Sequence, residues 1–481
     1  MSTSDFRRAN DPEFVARLRE VLGEDELIRD GDDLDYYGSD RCKGGWPVAP
    51  GAVALPRTVE QVQAIARLCS ELRVAIVPSG GRTGLTGAAT ATNGELVLSL
   101  ERMSSIVEID GPARRLRCQA GATIQAVRDA AASVGLEYPI DFAAKGSAQI
   151  GGSVATNAGG VKVIRYGLTR EHVAGLEVVL ADGELLSLDG KLVKDNTGYQ
   201  LRQLLIGSEG TLGIIVGVTV SLVRPPAGHL VVLCSVRDDP AVLELFARLR
   251  GSALTLSAFE CFDRGCVDRV VAHRGVDQAG PLDQLGPMQV LIEVELGEHE
   301  LRDDDGPTHD ALLSLLADAQ EAGELLDAVV AQTDAQAREL WAWREDISES
   351  LHAFTPHKAD VAVPIREVAR FVTRWRELVA EALPNIPALC FGHVGDGNLH
   401  LNLLKPEGMS LDAFLTACHE FDPRMYALVR EHRGSVSAEH GIGLLKREYL
   451  GYTRSAREIA SMRAIKSIFD PLGILNPGKV F

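Results

Sequence analysis

Three glycine-rich stretches restrict this chain more than any other feature: PSGGRTGLTG at 78–87, KGSAQIGGSVATNAGG at 145–160 and GSEGTLG at 207–213. Glycines at 80, 81, 84 and 87 let backbone amides approach a ligand closely and form an anion-binding concavity. The first stretch does not have the GxGxxG spacing of a nicotinamide site, and no helix follows it. The chain runs through AATATNGE into a strand-like LVLSL, so a Rossmann reading fails on spacing and on context. No Gly-Lys-Ser/Thr occurs there, which removes a Walker A loop. One such loop is compatible with a tight turn between strands. Three within one region point to close backbone approach to a large flat ligand carrying a pyrophosphate.

Around these loops the pattern alternates. Residues 11–30 predict an amphipathic helix on Phe14, Val15, Leu18, Val21 and Leu22. From Ala52 the order is strand AVALP, helix VEQVQAIARLCSELR and strand VAIVP, with Thr58 as N-cap and Gln61 three residues on. Strand–helix alternation of this kind indicates an α/β region. Leu212–Val223 predicts a buried strand, and Arg224-Pro225-Pro226 a domain boundary. Beyond it, 230–236 and 289–296 predict strands, 301–306 an exposed acidic loop, and 308–353 a long helical pattern interrupted near Gln332-Thr333. A helix near 454–469 and an Asn476-Pro477-Gly478-Lys479 turn close the chain. The expected division is an N-terminal helical segment at 1–46, a first domain at 47–226 and a second at 227–481, with the C-terminal tail returning to the first.

A formal net charge of −18 repels phosphate backbones and anionic lipid, so nucleic-acid and membrane-surface roles are not expected. An anionic substrate then requires local positive charge in its site. The eight cysteines include no CxxC pair and read as reduced thiols in the cytoplasm. The first residues have no apolar stretch and carry Asp5, Asp11 and Glu13, which does not predict a secretory signal, and no run is long enough to span a bilayer.

The sharper chemistry is C-terminal. In FGHVGDGNLHLNL, His393 and His400 flank a turn containing Gly395 and Gly397. The alternation after the turn predicts a strand that projects His400 and Asn402 together, away from the leucines. Glu439-His440 sits in SAEHGIG. A His-His-Glu set (His393, His400, Glu439) is a metal constellation that leaves a position for water or substrate. Asp396 is a competing ligand, better suited to shaping the turn. Zinc is the first expectation; manganese, cobalt and iron are chemically compatible. Such a metal matters because free water (pKa about 15.7) lies far above free histidine (about 6.5), a gap of roughly 12 kcal/mol that coordination largely closes. With a coordinated substrate hydroxyl, His440 can then serve as base. Arg344 and Ser348, four apart in a predicted helix, and Lys358 are candidates for the local positive site that holds a carboxylate.

The runs PSGGRTGLTG, AKGSAQIGGSVATNAGG, KDNTGY and GSEGTLGI resemble the FAD domain of the vanillyl-alcohol-oxidase type of flavoproteins, and the C-terminal motifs resemble the FAD-linked oxidase C-terminal domain. The resemblance spans about residues 35–481. It implies an α+β fold: a PCMH-type FAD-binding domain of two α/β subdomains, followed by an α+β substrate domain. It implies FAD contacts at Pro78, Ser79, Gly80, Gly81, Arg82, Thr83, Gly84, Thr86 and Gly87, then Ser147, Gly151, Gly152, Ser153 and Thr156, and finally Glu209, Gly213, Ile214 and Asn476. With neither His nor Cys in the first two loops, the flavin is expected to be non-covalent. The resemblance further implies zinc on His393, His400 and Glu439, substrate contact by Asn402 and His440, and a distal carboxylate on Arg344, Ser348 and Lys358. The implied reaction is oxidation of D-2-hydroxyglutarate to 2-oxoglutarate, with D-lactate, glycolate and D-malate as alternatives. An electron-transfer flavoprotein as acceptor and a homodimer are implied by the resemblance alone. Where the family often carries threonine, this chain has Ser348; the hydroxyl is retained.

Overall fold

The computed structural model describes residues 6–42, 44–188, 192–276, 280–297, 300 and 306–481; the acidic stretch 301–305 lies outside them. The chain divides into two compact units, Met1–Gly160 with Gly167–Pro225 and Glu439–Phe481, and Val161–Tyr166 with Pro226–Ala438. The short Val161–Tyr166 segment belongs to the second unit, and nothing in its sequence announces this.

The first unit holds two sheets. A four-stranded sheet orders Leu27–Ile28, Ala52–Ala54, Leu96–Ser99 and Ile76–Ser79, the last three mutually parallel. Parallel strands need a crossover, supplied here by the helix Val59–Leu72. Thr58 and Gln61 close a reciprocal cap at its start, and Val62, Ile65, Ala66, Leu68 and Cys69 form its buried face. A five-stranded antiparallel sheet orders Ile106–Asp110, Arg115–Gln119, Ile214–Ser221, Val173–Val179 and Leu185–Leu188. The N-terminal helix is shorter than its apolar pattern predicts, Pro12–Val21 rather than 11–30. Gly23 and the acidic Glu24–Glu26 turn supply no apolar face to continue it, and Leu27–Ile28 pairs with Ala52–Ala54 instead. The C-terminal stretch after the helix Ala456–Phe469 runs beside the Ile76 strand, where Ile76 N donates to Ile474 O and Asn476 N to Ile76 O.

The second unit is built on one seven-stranded antiparallel sheet: Leu325–Val330, His229–Val236, Met288–Glu295, Thr255–Asp263, Ala388–Gly392, Asn398–Leu403 and His357–Ala362. The 308–353 pattern resolves into two helices, Pro307–Glu321 and Asp334–Ser350, with the strand Leu325–Val330 between them. Gly323 at φ +71° ends the first helix, and the β-branched end of LLDAVV pairs at the sheet edge. One sheet face packs through Leu233, Phe262, Leu291 and Phe391 against Leu340, Trp343 and Ile347 of the second helix. On the other face Phe246 lies 4.9 Å from Phe259, ring to ring. Among the described residues no helix is long and apolar enough to cross a membrane.

Candidate active site

In the first unit the three glycine stretches converge on one another. A Cβ at Gly81 would stand 2.0 Å from the Ser147 carbonyl oxygen, and one at Gly80 would stand 3.4 Å from Gln149 Oε1. The third stretch is tied to the second by Gly207 N donating to Val154 O and Glu209 N to Ala155 O. Gly146 and Gly152 face open space, with no atom within 4 Å of a Cβ built there. Gly151 is pressed on Ala120, and Gly213 on Val178 where the Ile214 strand begins. Ser153 and Thr156 return their hydroxyls to Gln149 O and Gly152 O within the helix Ile150–Thr156. The Arg82 guanidinium is stacked over Tyr36 and Tyr37, at 4.5 and 4.4 Å, so its side chain is engaged within the protein.

The segment carrying Glu439-His440 is fixed to these loops. Glu209 is buried and accepts from Ile442 N and Gly443 N, each at 2.8 Å. Burial pushes its carboxyl up, against the opposing pull of those two amides. Thr86 Oγ1 donates to His440 O, and the Thr86 carbonyl accepts from Leu444 N and Leu445 N. Asn476 Nδ2 donates to Ala88 O and Glu209 O. Gly441 at φ +77° would place a Cβ 2.8 Å from the Glu209 carboxylate. That explains the glycine after His440.

Buried polar atoms without a protein partner line the same region: Ser79 Oγ, Gln149 Oε1, Asn476 Oδ1 and Lys479 Nζ. Buried polar groups in a native fold find partners, so this set suits a polar ligand laid along the loops, as FAD would be. Lys479 escapes a reading centred on glycine motifs. It is 2% exposed, and burial pushes its ammonium down to about 8; the signal was a cation placed in the Asn-Pro-Gly-Lys turn. The Gly81 contact gives a direct expectation. Gly81→Ala sets a methyl against backbone that cannot yield, and flavin affinity should fall at least about tenfold, read as flavin retained through purification.

The second unit gathers its chemistry on one sheet face. Register pairs Lys358 with Asn402, Asp360 with His400, and Phe391 with His400. Directly paired residues share a face, so Lys358, Asp360, His400 and Asn402 project together. The His393 and His400 rings are 5.2 Å apart and perpendicular. Asp360 Oδ1 is 3.5 Å from His400 Nδ1 and accepts from Asn398 Nδ2 at 2.8 Å. Ala438 N donates to the Asp360 carbonyl. Of the expected trio, His393 and His400 belong to this unit and Glu439 to the first. Two imidazoles and a carboxylate are a donor set that suits a divalent cation. Asp396 lies outside that trio. It accepts from Asn398 N in the turn, and burial pushes its carboxyl up to about 6.

Glu260 was not singled out by sequence reading. Its Oε1 is 2.6 Å from His393 Nδ1 and its Oε2 accepts from Arg344 Nε at 2.8 Å. Burial would raise its carboxyl, but His393 and Arg344 outweigh burial and hold it below the ordinary range. Arg344 itself is buried, with its guanidinium 4.8 Å from the Phe391 ring, whereas Ser348 one turn later is exposed. Lys358 reaches solvent, yet desolvation lowers its ammonium. Asn402 is buried, its Nδ2 donating to His400 O and its Oδ1 lacking a partner. Nearby, the buried Glu293 gathers Lys162, Ser257 and Trp341 at 3.0, 2.7 and 3.0 Å.

Residues 50–189 match the FAD binding domain, and residues 226–480 match the FAD linked oxidases, C-terminal domain. The chain is 45% identical to a D-2-hydroxyglutarate dehydrogenase of Xanthomonas citri pv. viticola, over 98% of this chain and 97% of that one. It is 42% identical to the enzyme of the same name from Stutzerimonas stutzeri, over 98% and 99%. Among solved structures, p-cresol methylhydroxylase superposes with a TM-score of 0.78 at 16% identity, over 99% of this chain and 98% of that one, a likeness of fold. The chain belongs to the FAD-linked oxidase family.

Proposed function

We propose that this protein is an FAD- and divalent-metal-dependent dehydrogenase that oxidises D-2-hydroxyglutarate to 2-oxoglutarate. Relatives at 45% and 42% identity carry that activity in their names. The observation that carries the reading here lies within the second unit, where His393 and His400 stand 5.2 Å apart, ring to ring, and His400 shares its sheet face with Lys358 and Asn402. FAD held along the glycine loops would supply a two-electron acceptor. A divalent cation, zinc in this reading, held by His393, His400 and Glu439 supplies Lewis acidity toward a hydroxyl and the neighbouring carboxylate.

This chain's own residues do the rest. His440, the residue after Glu439, takes the hydroxyl proton on its imidazole. Asn402 orients the substrate through its buried amide. Arg344, Ser348 and Lys358 hold the distal carboxylate, the local positive charge that a chain of net charge −18 needs to receive a dianion. For the external electron acceptor, the family resemblance supports an electron-transfer flavoprotein. All eight cysteines are free, which supports a reducing, cytoplasmic setting, and the homodimer rests on resemblance alone.

Lys358 separates the diacid from its rivals, because D-lactate and glycolate have no second carboxylate to anchor. Loss of a charge-assisted hydrogen bond is worth about 1.5–3 kcal/mol. Lys358→Ala should therefore lower kcat/KM for D-2-hydroxyglutarate by about 10- to 100-fold while leaving D-lactate turnover close to its starting value. Equal losses on both acids would refute the diacid assignment.

A further inference from the structure

We propose that Glu260 is a positioning residue that ties a metal-holding imidazole and an anion-holding guanidinium to one carboxylate, and so sets the affinity for both ligands. The inference rests on the metal reading above and extends it to a residue that touches neither ligand.

Glu260 lies in the middle of the strand Thr255–Asp263, between Phe259 and Cys261, and is 1% exposed. A carboxylate in such a place costs several kcal/mol unless each oxygen is satisfied. The sheet register satisfies one of them. Cys261 pairs with Gly392, so the next residues, Glu260 and His393, meet across the two strands on the same face. The helix Asp334–Ser350 brings Arg344 to the other oxygen. Each Glu260 oxygen thus has its own donor, at 2.6 and 2.8 Å.

Two consequences follow. His393 Nδ1, donating to a carboxylate, carries the ring proton and leaves the Nε2 lone pair as the metal ligand. Arg344, anchored through Nε and resting on Phe391, leaves both Nη nitrogens uncommitted to Glu260. A cation on His393 and an anion on Arg344 therefore both depend on one oriented carboxylate. Because linkage is reciprocal, whatever metal does to diacid affinity through Glu260 the diacid does equally to metal affinity.

Glu260→Gln tests this with little change of shape. The amide has one acceptor oxygen for two donors, so either His393 or Arg344 must face an N–H group. The readouts are Zn2+ affinity of the FAD-loaded protein, by competition with a chromogenic chelator, and KM for D-2-hydroxyglutarate; flavin content and circular dichroism report folding. The expected result is Zn2+ affinity weaker by about 10- to 100-fold, with KM raised and flavin retained. Wild-type protein that takes up Zn2+ alongside a variant of equal affinity would overturn the role of Glu260 alone. Wild-type protein that takes up no Zn2+ would overturn it together with the metal reading. Should Glu260→Gln fail to fold, Glu260→Asp keeps the charge, withdraws the oxygens by one methylene and is held to the same outcomes.

Discussion

Replacing His400 with alanine is expected to cut turnover about a thousandfold or more while the flavin stays bound, because Lewis-acid stabilisation is worth several kcal/mol. His400 stands in the strand Asn398–Leu403, perpendicular to His393 at 5.2 Å and 3.5 Å from Asp360. Its removal leaves His393 and Glu439 as the remaining members of the trio and Asp360 with its bond from Asn398. The strand keeps its ladder to both neighbours, since backbone pairing does not depend on the imidazole. The glycine loops that would hold FAD belong to the other compact unit, so flavin content should not change. The measurement is kcat beside flavin and zinc content of the same preparation. Activity surviving at more than a few per cent in a zinc-free variant would refute a catalytic metal here.

The second large effect falls on His440. His440→Gln should lower kcat by about a hundred- to ten-thousandfold, the usual contribution of a positioned general base, with zinc and flavin content unchanged. Position is the reason to expect so much. The backbone at His440 is held by the Thr86 hydroxyl, and the next residues by the two oxygens of Glu209. A base on so constrained a loop loses little entropy on reaching its proton. Primary deuterium isotope effects on C2–H cleavage should persist in the variant, since hydride transfer remains slow. A His440→Gln protein with near wild-type kcat would move the base elsewhere.

The elements were legible wherever a local rule decided them. Thr58 and Gln61 announce the cap they form, and the alternation around His400 announces a strand with His400 and Asn402 on one face. The first and third glycine stretches were readable as loops, whereas the second folds Ile150–Thr156 as a helix, and their mutual contact, Gly81 on Ser147 and Glu209 N on Ala155 O, is a property of the folded unit. The strand Leu325–Val330 and Glu260 went unread for different reasons. The strand Leu325–Val330 was absorbed into a helical pattern because its apolar residues continue the spacing of the flanking helices. Gly323 marked its start and the Gln332-Thr333 interruption its end. Glu260 gave a faint signal, one acid in the apolar run Leu256–Phe262. Its partners lie 84 and 133 residues away, beyond any local window. Arg344 and Lys358 were legible as candidates for local positive charge, but the sequence could not show that Arg344 is buried on a carboxylate while Lys358 reaches solvent.

The most direct test of the account is an anaerobic absorbance spectrum of the zinc-loaded holoenzyme before and after D-2-hydroxyglutarate, with D-lactate run in parallel. The account predicts rapid bleaching of the flavin by the diacid, slow bleaching by lactate, and loss of the diacid response once the metal is chelated. A flavin reduced by lactate alone, or by neither acid, would contradict it.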